Sequence, residues 1–216
     1  MIKLVKGVID FHTRVLPERR ELFARLALGQ APDALVIGCF DSRLMLSLLT
    51  SANPGDLAVV KNPGNLVPPV SDSIGTSEAA AIETAVKELK VKDIVVCGHS
   101  GCVGMESLLK KEGVRPALLQ WLRHARVAKE RLEAGQTFDP SLSPPNQLSQ
   151  LNIMLQLEHL MTYPEVAASV AIGALRLHGW WFDIPTGNVY VFEPDERKFV
   201  VIDAEVGKKI LARITS

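Results

Sequence analysis

The sequence lacks an excess of charge of either sign. Its 216 residues include 24 Lys plus Arg and 24 Asp plus Glu, which gives a formal net charge of 0. Proteins that hold nucleic acid by neutralising its phosphates carry an excess of positive charge. The balance therefore argues against a nucleic-acid partner and against an acidic membrane surface.

Long apolar runs are missing as well. The most continuous one, residues 166–177, is broken by Ser169, Gly173 and Arg176 and is shorter than the roughly 20 residues that cross a bilayer. The N-terminus mixes charges among its apolar residues and shows no signal-peptide core or small-residue cleavage site. We therefore expect no membrane span and a cytoplasmic location.

Cysteine is scarce, with three residues in the whole chain. An odd, small number fits a reducing compartment better than a disulfide scaffold. Apolar residues make up 47% and charged residues 22% of the chain, as in folded soluble proteins. Length and composition predict one domain spanning residues 1–216.

Short apolar runs alternate with helical patterns along the first half of the chain. The runs at 34–38, 57–60 and 93–97 are typical of strands buried on both faces, and residues 16–28 and 77–89 favour helices. Further helices are predicted at 118–133, 147–161, from Pro164 through Leu177, and at 206–214. Two alternating runs, 189–192 and 199–202, predict an antiparallel hairpin. The fold class is therefore α/β: a mostly parallel central sheet flanked by helices, with an antiparallel C-terminal edge hairpin.

Metal-ligand residue types follow two of the predicted strands. Cys39 follows the first strand, whereas His99 and Cys102 follow the third. The carboxyl ends of parallel strands share one edge of a sheet, and a Cys₂His set suits Zn²⁺ with its fourth position open or available to Asp41. Spacing alone leaves the alternative of two buried thiols near a polar turn. Cys97 lies inside a strand and is expected to be an apolar filler.

Asp41 can be interpreted in two ways. As a metal ligand it would close the site. Paired with Arg43, it would be held off the metal and could accept a hydrogen bond from zinc-bound hydroxide.

Three motifs together resemble the β-class carbonic anhydrase family. They are Cys-x-Asp-Ser-Arg at 39–43, His-x-x-Cys at 99–102 and Asn-Leu-Val-Pro-Pro at 65–69, and the segments 157–166 and 177–192 are similar as well. The resemblance implies a zinc enzyme that interconverts carbon dioxide and bicarbonate by attack of zinc-bound hydroxide. It also implies a homodimer or higher homo-oligomer, with residues 1–15 as an arm packing on a partner subunit.

Carried over residue by residue, the resemblance assigns roles to seven positions. Cys39, His99 and Cys102 would be zinc ligands, Asp41 and Arg43 the catalytic dyad, and Gln30 and Gly104 substrate-binding residues. Asp41 could become the fourth ligand in a closed state, once Arg43 disengages. The alternatives are a surface role for Gln30 and a turn role for Gly104.

The sequence also departs from the family pattern. Val36, Lys61 and Phe182 stand where some members have the Trp, Arg and Tyr of a noncatalytic bicarbonate site, which implies the plant-like subtype without that site. Lys61 lacks the planar fork of Arg, which puts any bidentate contact there in doubt. Pro63 and Val103 could reshape the pocket for carbon disulfide or carbonyl sulfide. A further alternative is a nonenzymatic zinc protein that Asp41 closes permanently.

Overall fold

The computed structural model describes residues 1–110 and 112–215. The chain divides into two compact units, Met1–Ala31 and Pro32–Ser216. The first unit is helical: α1 (Ile2–Asp10) is followed by a π-helical turn (Phe11–Val15) and α2 (Leu16–Leu26). Pro17 lies in the first turn of α2, where its missing N–H has no helical partner to lose.

The second unit is built on a six-stranded sheet in the order β2-β1-β3-β4-β5-β6. The strands are β1 (Ala34–Cys39), β2 (Leu57–Asn62), β3 (Asp93–His99), β4 (Arg176–Asp183), β5 (Asn188–Glu193) and β6 (Lys198–Val201). The first four strands are parallel to one another, β5 is antiparallel to β4, and β6 is antiparallel to β5. The predicted fold class is confirmed.

Both faces of the central strands are buried, because successive side chains of a strand point to opposite faces. Val36 and Val95 pack into one apolar cluster. Their neighbours Leu35 and Ile94 pack into a second cluster on the other face. This double burial is the reason that β1 and β3 are nearly continuous apolar runs.

Helices cover the sheet. They are α3 (Leu46–Leu49), α4 (Ser77–Glu83), α5 (Val103–Leu109), α6 (Pro116–Leu122), α7 (Arg126–Glu133), α8 (Pro144–Leu160), α9 (Pro164–Ala171) and α10 (Ala204–Thr215). Short 3₁₀ turns lie at Val70–Asp72 and Arg123–Ala125, and a π-helical turn at Thr84–Glu88 follows α4. None of the helices in the described part of the chain is long and apolar enough to cross a membrane.

Two predicted helices differ from the structure. The helix expected at 118–133 is interrupted by the 3₁₀ turn between α6 and α7. The helix expected to run to Leu177 ends at Ala171, and β4 begins at Arg176. Gly173 takes the positive φ of +72° that ends many helices and that side chains disfavour. The apolar run therefore spans a helix end and a strand start.

Helix α8 packs closely against the sheet and thereby fixes the position of the strand that ends at His99. Gly98 in β3 and Gly179 in β4 both face Ile153 of α8, and a Cβ on either glycine would lie 2.9 Å from an Ile153 carbon. Because neither strand carries a side chain there, α8 lies directly against the strand that ends at His99.

Candidate metal centre

The structure brings Cys39, His99 and Cys102 together at one edge of the sheet. Cys39 ends β1, His99 ends the adjacent β3, and Cys102 precedes the first residue of α5. One ligand atom from each lies within 4.8 Å of those of the other two. All three side chains are buried. The three residues that the sequence singled out thus form one compact N/S cluster, suited to a borderline-soft metal ion.

His99 presents an unused ring nitrogen to this cluster. Its Nδ1–H donates to the Ser100 carbonyl oxygen at 2.9 Å, which leaves Nε2 as the acceptor nitrogen. Nε2 is buried and has no hydrogen-bond partner among the described residues. A buried polar atom without a partner is costly. A metal ion held by the two sulfurs would supply that partner.

The two thiols polarise each other at an Sγ–Sγ distance of 3.8 Å. The contact with Cys102 lowers the pKa of Cys39, as do the backbone N–H groups of Asp41 and Gly64, against the opposing effect of burial. The same contact, together with burial, raises the pKa of Cys102. A bound cation would favour the thiolate of both.

Asp41 is engaged by Arg43 rather than turned into the cluster. Arg43 donates from Nε to Oδ1 at 2.9 Å and from Nη2 to Oδ2 at 2.8 Å, and its backbone N–H donates to Oδ1 at 2.9 Å. These bonds from Arg43 hold the pKa of Asp41 well below its usual range, although partial burial opposes them. Nη2 also donates to the Gly101 carbonyl at 3.1 Å. The lowered pKa keeps the Asp41 carboxylate ionised. Its Oδ2 lies 4.0 Å from His99 Nε2, so the carboxylate is also close to the cluster.

Lys61 holds the backbone next to Asp41 in place, a role that was not predicted from the sequence. Its Nζ donates to the backbone carbonyls of Asp41 at 3.0 Å and Leu44 at 2.8 Å. A lysine ammonium group can donate to two separate carbonyl oxygens, so these contacts do not require the planar, two-pronged guanidinium group of Arg. Lys61 pairs with Gly38 across β1 and β2, and that register is the signal that could have placed it beneath the Asp41 turn. Val36 and Phe182 are core side chains.

The structure places Gln30, Gly104 and Cys97 in different settings. Gln30 is an exposed residue of the N-terminal unit, after α2. Gly104 is buried in the first turn of α5, where a Cβ would lie 3.5 Å from the Gly64 Cα and 3.6 Å from Cys102 Sγ. These are ordinary contact distances, so the packing of α5 on the loop that carries Gly64 does not require a glycine at this position. Cys97 is fully buried, and burial raises its pKa to about 12, as expected for an inert filler.

The sequence of this chain is similar to those of known proteins over most of its length. The model of a family described as "Carbonic anhydrase" matches residues 34–189. A carbonic anhydrase of Pseudomonas aeruginosa is 38% identical over 202 residues, which cover 93% of this chain and 91% of the relative. Carbonic anhydrase 1 of Escherichia coli O157:H7 is 37% identical, and the match covers 94% of this chain and 93% of the relative.

Two solved structures are similar to this chain over most of its length. The β-carbonic anhydrase CcaA is 33% identical with a TM-score of 0.88, and the match covers 94% of this chain and 92% of CcaA. A structure described as one of two tetrameric β-carbonic anhydrases of Sordaria macrospora is 31% identical with a TM-score of 0.78, covering 88% of this chain and 94% of that one.

Proposed function

This chain belongs to the β-class carbonic anhydrase family, and we propose that Cys39, His99 and Cys102 hold the zinc ion with which it interconverts carbon dioxide and bicarbonate. The observation that carries the proposal is the buried, unpartnered His99 Nε2 beside two sulfurs. Two thiolates and an imidazole are the set that zinc prefers, and three protein ligands leave one position for chemistry. When bound, zinc supplies a Lewis acid that lowers the pKa of a coordinated water to about 7.

Asp41 and Arg43 act on the reacting water as a dyad. Asp41 Oδ1 accepts two hydrogen bonds from Arg43 and Oδ2 accepts one, so Oδ2 keeps a further lone pair. Asp41 can therefore accept a hydrogen bond from that water and orient its lone pair toward carbon dioxide. Arg43 holds the carboxylate in place by two parallel bonds, which is the most directional pairing a carboxylate can make.

A closed state is the second part of this proposal. Asp41 would become the fourth ligand after it releases Arg43, which breaks the two guanidinium bonds. X-ray absorption across a pH series tests this: a water oxygen that is replaced by a carboxylate oxygen supports the closed state. A coordination shell that does not change, with no inactive form, contradicts it. The observed pairing with Arg43 argues against a zinc protein that Asp41 closes permanently.

Gln30 and Gly104 are proposed to bind substrate. The Gln30 amide would donate to a substrate oxygen, and the Gly104 N–H would contribute to the anion's surroundings. The lack of a noncatalytic bicarbonate site is a related proposal, supported by the buried Val36 and Phe182. A Gln30→Ala variant should lose turnover while its zinc content is unchanged. Cooperative inactivation by bicarbonate would contradict the missing site.

The chain is also proposed to form a homodimer or higher homo-oligomer, with residues 1–15 as an arm on the partner within a single-domain subunit. Support comes from the exposed apolar side chains of α1, which include Val5, Val8 and Ile9, since apolar patches of this kind mark interaction surfaces. A Val8→Glu variant should lower the mass measured by light scattering.

We place the enzyme in the cytoplasm, because its zinc-ligating thiols must stay reduced.

The test compares two buried cysteines. Cys39→Ala should lose both zinc and carbon dioxide hydration, whereas Cys97→Ala should keep both, since Cys97 lies outside the ligand set. Zinc retained by Cys39→Ala would contradict the assignment. Release of sulfide from carbonyl sulfide or carbon disulfide would instead support the retuned-substrate alternative.

A further inference from the structure

A single loop glycine contacts the Cys39 sulfur. Gly64 donates its backbone N–H to Cys39 Sγ at 3.4 Å. The glycine has a φ of +84°, so its two flanking peptide groups take directions that a side-chain-bearing residue seldom adopts. Whatever fixes those two peptide groups fixes the direction of the N–H toward the sulfur.

Trp121 fixes the first peptide group. Its indole Nε1–H donates to the Pro63 carbonyl at 2.8 Å, and that carbonyl belongs to the same peptide group as the Gly64 N–H. A trans peptide is planar, with its carbonyl and N–H pointing in opposite directions. An indole that holds the carbonyl on one side therefore aims the N–H at Cys39 on the other.

Asn152 fixes the second peptide group from α8. Its Nδ2 donates to the Gly64 carbonyl at 2.9 Å, and its Oδ1 accepts from Gln156 Nε2 at 2.8 Å. Gln156 Oε1 in turn accepts the Val67 N–H at 2.8 Å. Both amides are fully buried. Burying a polar side chain is unfavourable unless its hydrogen bonds are made, and here those bonds serve one loop.

We propose that Trp121 and Asn152 are positioning residues for Cys39, which orient the Gly64 N–H that stabilises its sulfur as a metal ligand. The inference rests on the proposed function, because it takes Cys39 as a ligand. Outer-shell groups orient a ligand and tune the charge on its donor atom. Trp121 acts on Cys39 through the Pro63 carbonyl, to which its indole donates.

The chain offers a matched control for the loss of an indole N–H. Trp181 is buried, and its Nε1 has no hydrogen-bond partner among the described residues. Trp121→Phe removes an N–H that holds the Pro63 carbonyl, whereas Trp181→Phe removes one that holds nothing. Asn152→Leu is a second variant, since it keeps a similar size and adds no charge but removes the donor to Gly64.

The experiment measures metal affinity by competition with a chromophoric chelator. Trp121→Phe and Asn152→Leu should lose about 10- to 100-fold in zinc affinity, the usual effect of removing an outer-shell partner. Trp181→Phe should keep the wild-type affinity even if its melting temperature falls. A common loss in Trp121→Phe and Trp181→Phe, or none in either, would overturn the inference.

Cobalt substitution gives a readout that a purely structural role would not change. A hydrogen bond to a thiolate lowers the energy of its lone pair, so its loss should move the thiolate-to-cobalt charge-transfer band of Trp121→Phe to longer wavelength. An unshifted band would overturn the inference while leaving the metal site intact. Cobalt bound equally well by Cys39→Ala would overturn the proposed function itself, and this inference with it.

Discussion

The packing of α8 against the sheet leads to a quantitative prediction for Gly98→Ala. The added Cβ would lie 2.9 Å from Ile153 Cδ1, 3.1 Å from Cγ1 and 3.0 Å from Ser149 Oγ. Ile153 is fully buried, so its side chain can yield only by repacking against its neighbours. Overpacking of this kind costs about 1–3 kcal/mol, and alanine recovers roughly 0.5–1 kcal/mol of the backbone entropy that glycine loses. We expect a net loss of about 1–2 kcal/mol in the free energy of unfolding.

A second substitution tests whether the Ile153 contact is the cause. Ile153→Val removes only Cδ1, and alone costs about 0.5–1.5 kcal/mol. In the Gly98→Ala background it also relieves the 2.9 Å contact, so the double variant should be more stable than the sum of the two losses by about 1 kcal/mol. Gly179→Ala is the matched control. Its Cβ would meet Ile153 Cγ2 at 2.9 Å, an atom that valine keeps, so no rescue is expected there.

The assay is denaturant unfolding at fixed protein and zinc concentrations, because both binding and assembly shift apparent stability. Strict additivity in the Gly98 cycle would refute the packing argument. So would equal rescue of Gly98→Ala and Gly179→Ala, because relief of a specific Cδ1 contact cannot produce it.

Three further predictions follow from the site and its surroundings. Asp41→Asn should keep its zinc but lose about 100-fold or more in turnover, as when a proton-accepting group is removed; a turnover above a tenth of wild type would contradict the dyad. Burial alone would raise the pKa of Asp93, but hydrogen bonds from His178 and Arg176 outweigh it and hold that pKa well below its usual range. A depressed folded pKa means that the stabilisation is complete above the unfolded value of about 3.9 and is lost as the pH falls through the folded value. The free energy of unfolding should therefore fall more steeply with acidification in wild type than in Asp93→Asn, and parallel curves would refute this. Removal of zinc by a chelator should lower the melting temperature of wild type, because metal binds the folded cluster, but not that of Cys39→Ala; an equal fall in both would contradict the ligand assignment.

Local pattern was sufficient to predict the strands that build the site. β1 and β3 are buried on both faces, and a short apolar run with flanking turns is a direct record of that burial. The start of β4 was missed because residues 166–177 are mostly apolar, and periodicity alone does not divide such a run between a helix and a strand. Only the backbone at Gly173 marks the division.

The ligand cluster was predictable because the ends of adjacent parallel strands meet at one edge of the sheet. The groups that hold the cluster were not, because their contacts join residues far apart in the chain. Lys61 reaches back to the Asp41 turn, Trp121 to Pro63, and Asn152 on α8 to Gly64. These contacts are hydrogen bonds to backbone carbonyls, which leave no repeat or spacing in the sequence.

We propose that Cys39, His99 and Cys102 hold the zinc ion with which the enzyme hydrates carbon dioxide. The most direct test is stopped-flow hydration from about pH 6 to 9, a range that spans the pKa of about 7 expected for a zinc-activated water, on protein with quantified zinc. We expect one zinc per chain and rapid hydration that rises with pH. Full zinc occupancy with no hydration at any pH in that range would contradict it.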